Sequence, residues 1–134
     1  MEEYKLNKRE KKKYEQTEQS LLELSNNLKS AEEYMRHDNT KKCLEKYTGV
    51  ANEFEELKDF ETASYFYKKC LDVSIRAKYV EGEAQAYMGL GKCEEQVLNK
   101  HFAMENLETA LEKATDGNLA RLEKEISKEL VRVY

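Results

Sequence analysis

The sequence predicts an all-α protein in which about six helices stack as antiparallel hairpins. Three observations carry this expectation. The chain has no proline and only five glycines in 134 residues, and Glu, Lys, Leu and Ala are plentiful, a balance that favours helices over sheets. Apolar and small residues recur at a step of 40 residues. The breaks between helical stretches are short, which leaves successive helices no arrangement but antiparallel hairpins.

The elements follow in order. Residues 2–36 read as one long helix or a broken pair. Its heptad-like stripe is Tyr14, Thr17, Leu21, Leu24, Leu28, Ala31 and Met35, and Asn26-Asn27 is a point where it weakens. The stripe packs on the next helix of the same chain or, alternatively, forms a seam with another chain. His37-Asp38-Asn39-Thr40 is a break rich in N-cap residues. A helix is expected over about 40–57, then a tight turn at Lys58-Asp59 with Asp59 capping a helix over about 60–77. Lys78-Tyr79 is a weaker break before a helix over about 80–97, and Leu98-Asn99-Lys100 turns the chain into a helix over about 101–114. Asp116-Gly117-Asn118 is the clearest stop signal, and a last helix begins near 119.

The recurrence holds across five pairs in one register: Ala51 with Gly91, Ala63 with Ala103, Tyr67 with Leu107, Cys70 with Ala110 and Leu71 with Leu111. A further step brings Leu130-Val131 to the place of Val50-Ala51 and Leu90-Gly91. Small residues belong where the two helices of a hairpin come closest. Large ones (Tyr47, Phe54, Tyr67, Leu71, Tyr87, Leu107, Leu111) fill the space between hairpins, and stacking supplies a core that no single hairpin has.

These residues resemble the tetratricopeptide repeat (TPR) family. Its hallmark is a small residue in mid helix A, an aromatic three later, then Ala, an aromatic and Ala in helix B. Ala51, Phe54, Ala63, Tyr67 and Cys70 match it, around a Leu57-Lys58-Asp59-Phe60 turn. The second copy, Leu90, Gly91, Ala103, Leu107 and Ala110, departs from it with Glu94 in the aromatic place and Lys100 where Phe60 stood. The family's closing proline is absent from both. The 40-residue period is similar to the longer-repeat branch of cortical-polarity, receptor-clustering and axonemal adaptors, and general likeness points to the axonemal, dynein-associated type. The resemblance implies a right-handed α-solenoid. Its organisation is a basic helical segment at 1–39, TPR-like repeats at 40–79 and 80–118, and at 119–134 a capping helix or the first helix of a further repeat. The chain ends inside a helical pattern, Val131-Arg132-Val133-Tyr134, which reads as a fragment of a longer protein.

Composition narrows the function. A net charge of −4 argues against a dedicated nucleic-acid binder, although Lys5, Lys8, Arg9, Lys11, Lys12 and Lys13 crowd the start. No apolar run approaches the ~20 residues of a membrane span, and the polar start is no signal peptide. Cys43, Cys70 and Cys93, widely spaced and without nearby His, read as buried thiols in a reducing compartment. The expected setting is cytoplasmic, with a cytoskeletal or ciliary one implied by the resemblance. Gly89-Leu90-Gly91-Lys92 lacks the first glycine and the Ser/Thr of a phosphate loop and falls in mid-helix, so its glycines are read as close-approach positions. His37 and His101 have no nucleophile or orienting group beside them. Adjacent carboxylates such as Glu55-Glu56 and Glu94-Glu95 point to different helix faces. No catalytic residue, cofactor or metal site is expected.

In the family, A helices line the concave side. The resemblance therefore places a partner-binding groove at Glu45, Thr48, Asn52, Glu55 and Glu56 in one copy, and at Gln85, Met88, Lys92, Glu95 and Gln96 in the next. Asn52 and Lys92 stand at positions of the family's carboxylate clamp, but Thr48 and Gly89 occupy its other places. With four carboxylates against one lysine, the lining suits a protein or peptide segment with basic or apolar anchors. The alternative is an architectural module that self-associates through open hairpin ends or the N-terminal helix.

Overall fold

The computed structural model describes residues 8–134, with side chains from Glu18 onward. Lys5 therefore lies outside the described residues, as do the side chains of the other early cations and of Tyr14 and Thr17. Six helices follow one another: α1 (Lys8–Arg36), α2 (Thr40–Glu56), α3 (Phe60–Arg76), α4 (Val80–Gln96), α5 (Lys100–Asp116) and α6 (Ala120–Val133). Each packs on the next, and α6 also touches α4, which makes an α-solenoid of antiparallel hairpins. No strand occurs among the described residues.

The corners are all alike. At each, one residue enters the left-handed region: Asp38, Lys58, Lys78, Leu98 and Asn118, with φ from 54° to 61°. The following N–H reaches back to the carbonyl five residues earlier, as in Asp59 to Phe54 and Asn99 to Glu94, both 2.9 Å. This is the Schellman closure, which satisfies carbonyls that a helix end would otherwise leave bare. None of the five left-handed residues is glycine, so every corner holds a strained backbone. Gly117 stands one place early, with φ −86°. The next residue is the N-cap. Asn39 and Asp59 accept from the N–H of Lys42 and Thr62, as their side chains predict.

α1 runs unbroken through Asn26-Asn27. Leu24, Leu28, Ala31 and Met35 of its stripe pack into the core, but Leu21 is exposed. α1 has 29 residues and α2 only 17, about 43 Å against about 25 Å, so the start of α1 overhangs its partner and Leu21 stands at the very edge of the overlap, beside the last turn of α2.

α4 decides how closely the stack closes. Gly82, Ala86, Gly89, Leu90 and Cys93 form one buried face, and Ala84 and Gly91 form the opposite one. The helix is thus wedged between α3 and α5. A Cβ on Gly89 would lie 2.6 Å from the Tyr67 ring. One on Gly91 would lie 2.7 Å from Leu107 Cγ and 3.2 Å from the Ala103 carbonyl oxygen. Both glycines are close-approach positions, as the recurrence implied. Ala51, Ala63, Ala103 and Ala110 are fully buried, so the aligned small residues do lie inside. The third copy keeps the register only in part. Leu130 is buried, but Val131 is 74 % exposed, because no described helix packs on that side of α6.

Gly49 differs from Gly91, since nothing lies within 4 Å of a Cβ placed there. Gly49→Ala is expected to raise stability by about 0.5–1 kcal/mol through helix propensity. Gly91→Ala should lower it by about 1–3 kcal/mol through overpacking. Urea denaturation of the two variants checks the opposite signs.

Candidate partner-binding groove

Helices α2, α4 and α6 share one side of the stack, and three hollows lie along it. The first, about 410 Å³, is bordered by Glu45, Thr48 and Asn52 of α2 and by Gln85 of α4. The second, about 250 Å³, is bordered by Glu55, Glu56, Lys92, Glu95 and Gln96. Nine of the ten groove positions inferred from sequence therefore border these two hollows. The tenth, Met88, packs instead against the core between α4 and α6. The third hollow, about 450 Å³, lies between α4 and α6 and includes Arg121 and Glu125.

The sequence reading missed α6 as a wall, along with Lys41, Glu81, Lys58 and Phe60. The signal was present. The step that links Glu45 to Gln85 leads on to Glu125, and Lys41, Glu81 and Arg121 form a second such series. Counting these residues changes the charge balance. Glu45, Glu55, Glu56, Glu81, Glu95, Glu125 and Glu129 face Lys41, Lys58, Lys92, Arg121 and Arg132. The carboxylate excess belongs to the α2 and α4 walls. On α6, Arg132 is 3.5 Å from Glu129 and offsets it.

Two of the inferred residues also hold the fold. The Tyr67 hydroxyl, reaching up from α3, lies 2.8 Å from Glu55 Oε1 and 2.7 Å from the Asn52 carboxamide. One phenolic proton serves one acceptor. Both contacts are satisfied when the proton goes to Glu55 and the Asn52 amide, turned over, donates to the phenol oxygen. Burial, then the Glu55 hydrogen bond, push the Tyr67 phenol far above its ordinary range, so it stays a donor. The Cys93 thiol approaches the same Glu55 oxygen at 3.8 Å. Glu55 is therefore anchored beneath the groove, whereas Glu45 and Glu56 are exposed and make no recorded ion pair among the described residues.

The three cysteines are free and buried. Burial pushes Cys70 and Cys93 up to about 11 and raises Cys43, which keeps them as inert thiols. His37 and His101 are exposed, and His101 has only Glu105 nearby, at 4.0 Å. No three His, Cys, Asp or Glu side chains gather to hold a metal among the described residues. No described helix is long and apolar enough to cross a membrane.

This geometry defines a helical-repeat module with hollows along its α2, α4 and α6 side. No protein-family profile matches the chain, and no curated protein matches it in sequence. Among solved structures, the crystal structure of the apo form of RapI is similar, with a TM-score of 0.75 at 16% identity over 90% of this chain. The match spans 44% of RapI, less than half its length. At that identity the likeness shows the fold, a helical repeat.

Tyr67→Phe removes the donor to a half-buried carboxylate and is expected to lower stability by about 1–3 kcal/mol, read by urea denaturation at neutral pH. The thiols set an alkaline limit. Their folded values near 11 exceed the ordinary 9.0, so their contribution is complete below pH 9 and is lost as pH rises towards 11. A stability profile over that window should fall, and a thiol reagent should label the native protein slowly but all three cysteines on unfolding.

Proposed function

We propose that this chain is a protein-interaction adaptor of the TPR type, without catalytic activity, that holds a segment of another protein along the α2, α4 and α6 side. The observation that carries this reading is the set of three hollows on the α2, α4 and α6 side, bordered by charged and amide side chains with apolar ones such as Leu44, Tyr79, Leu119 and Leu122 among them. Such a surface suits an extended or helical polypeptide better than a small apolar ligand. The α2 and α4 walls keep a carboxylate excess, which favours basic or apolar anchors in the partner over an acidic tail. Thr48 and Gly89 leave the carboxylate clamp incomplete, which supports the same choice. The 40-residue period sets the chain beside the longer-repeat adaptors, and a cytoplasmic setting, cytoskeletal or ciliary among others, belongs to this proposal on that likeness alone.

Selection of a random displayed peptide library on the immobilised chain tests it. Enrichment of peptides with Lys or Arg among apolar residues is expected. Glu45 and Glu56 are exposed and bear no structural hydrogen bond, so Glu45→Lys with Glu56→Lys leaves the fold intact. That variant should bind the selected peptides about five- to tenfold more weakly. Selection of acidic tails, or unchanged affinity in the variant, would remove the groove from the account.

A further inference from the structure

Two exposed stripes of opposite charge lie on consecutive helices. On α5, Glu105, Glu108, Glu112 and Asp116 follow at steps of three, four and four residues, and all are exposed. On α6, Arg121, Lys124, Lys128 and Arg132 follow at the same steps, and all are exposed. Steps of three and four keep each set on one side of its helix. The α5 stripe lies opposite buried Ala103, Leu107, Ala110 and Ala114. The α6 stripe lies opposite buried Leu122, Ile126, Leu130 and Val133.

Within one molecule the like-charge spacing is unfavourable, offset on α6 only by Glu125, four residues after Arg121 and three before Lys128, and by Glu129 beside Arg132. Like charges at these spacings repel along a helix. Asp116 ends α5, where the helix dipole disfavours an anion, and Arg121 sits in the first turn of α6, where it disfavours a cation. The stripes do not relieve each other internally, since no ion pair joins them among the described residues. The contacts that occur are to other residues: Tyr134 donates to Glu108 at 2.9 Å, His101 lies 4.0 Å from Glu105, and Arg132 meets Glu129 on its own helix. Leu44 and Ala84, aligned with Lys124 in α2 and α4, are buried, whereas Lys124 faces outward on the uncovered side of α6.

We infer that the occupant of the α6 stripe is the α5 stripe of a second copy of this chain. The charges are complementary and equal in number, and the spacing is the same on both helices. Each meeting removes two sets of like-charge repulsion at once. Because every copy carries both stripes, one contact leaves a further pair free, so association extends with concentration unless symmetry closes it. Exposed ion pairs are individually weak and screened by salt, which makes this contact salt-sensitive. The stripe meets the groove at its ends, where Arg121 and Arg132 border hollows, but Lys124 and Lys128 border none of the three, so substitutions there leave the groove lining unchanged.

Sedimentation velocity of the full chain across a concentration series, at low and at high salt, tests the inference. The expected result is a mass that rises with concentration at low salt and returns to monomer at high salt. Lys124→Glu with Lys128→Glu should abolish the rise, as should Glu105→Lys with Glu112→Lys. Circular dichroism of each variant shows whether the helices persist. Mixing the two variants restores opposite charge across both contacts and should restore association, which a merely unfolded variant would not do. A wild-type chain that stays monomeric at every concentration in low salt, or a mixture that stays monomeric, overturns the proposal. So does association that high salt leaves unchanged. None of these outcomes bears on peptide binding by the groove.

Discussion

The stack depends on how thin α4 is. A helix covered on two opposite sides cannot carry large side chains on both without forcing its neighbours apart. Gly82, Gly89 and Gly91 solve this by having no side chain where Ser74, Tyr67 and Leu107 need the space. Each glycine inside a helix is worth about 1 kcal/mol less than alanine in propensity. The packing it permits has to exceed that. Here Tyr67 and Leu107 are buried against the bare backbone they meet.

The same residue that needs the bare backbone of Gly89 also reaches the groove. The Tyr67 ring lies against Gly89 of α4, and its hydroxyl meets Asn52 and Glu55 of α2, donating to Glu55. The floor of the hollows is thus tied to the core through a neutral phenol, while Glu45 and Glu56 stand exposed at the edge. Residues that hold the fold and residues that face solvent are separated there.

Much of this was legible as a recurrence. The 40-residue step located the buried small residues and the two glycine approaches, because each of these depends on side-chain size or on helix register; the groove positions came from the family resemblance, and nine of the ten border hollows. Extending the step to α6 would have found Glu125 and Arg121 as well. The stripe of α1 misled at Leu21, since periodicity does not report how long the neighbouring helix is. Val131 misled in the same way, since register does not show whether a further helix covers it. Glu55 read as a free groove carboxylate because nothing in local sequence announces a tyrosine arriving from the next helix. The corners were legible only as breaks. Their left-handed residues, Asp38, Lys58, Lys78, Leu98 and Asn118, share no chemistry, and the glycine that usually marks such a place is absent.

Those corners recur every twentieth residue, at half the period of the side-chain pattern. The inward positions share part of that beat: Val50, Cys70, Leu90, Ala110 and Leu130 stand twenty residues apart and all are buried. What needs the full forty is the alternation of side-chain size from one helix to the next. Excising one helix with its corner would leave every bend in step and this position inside, yet it would set bulky faces where bare backbone is needed. Removing two together would leave both rhythms intact, so a molecule of this construction changes length most readily by pairs of helices.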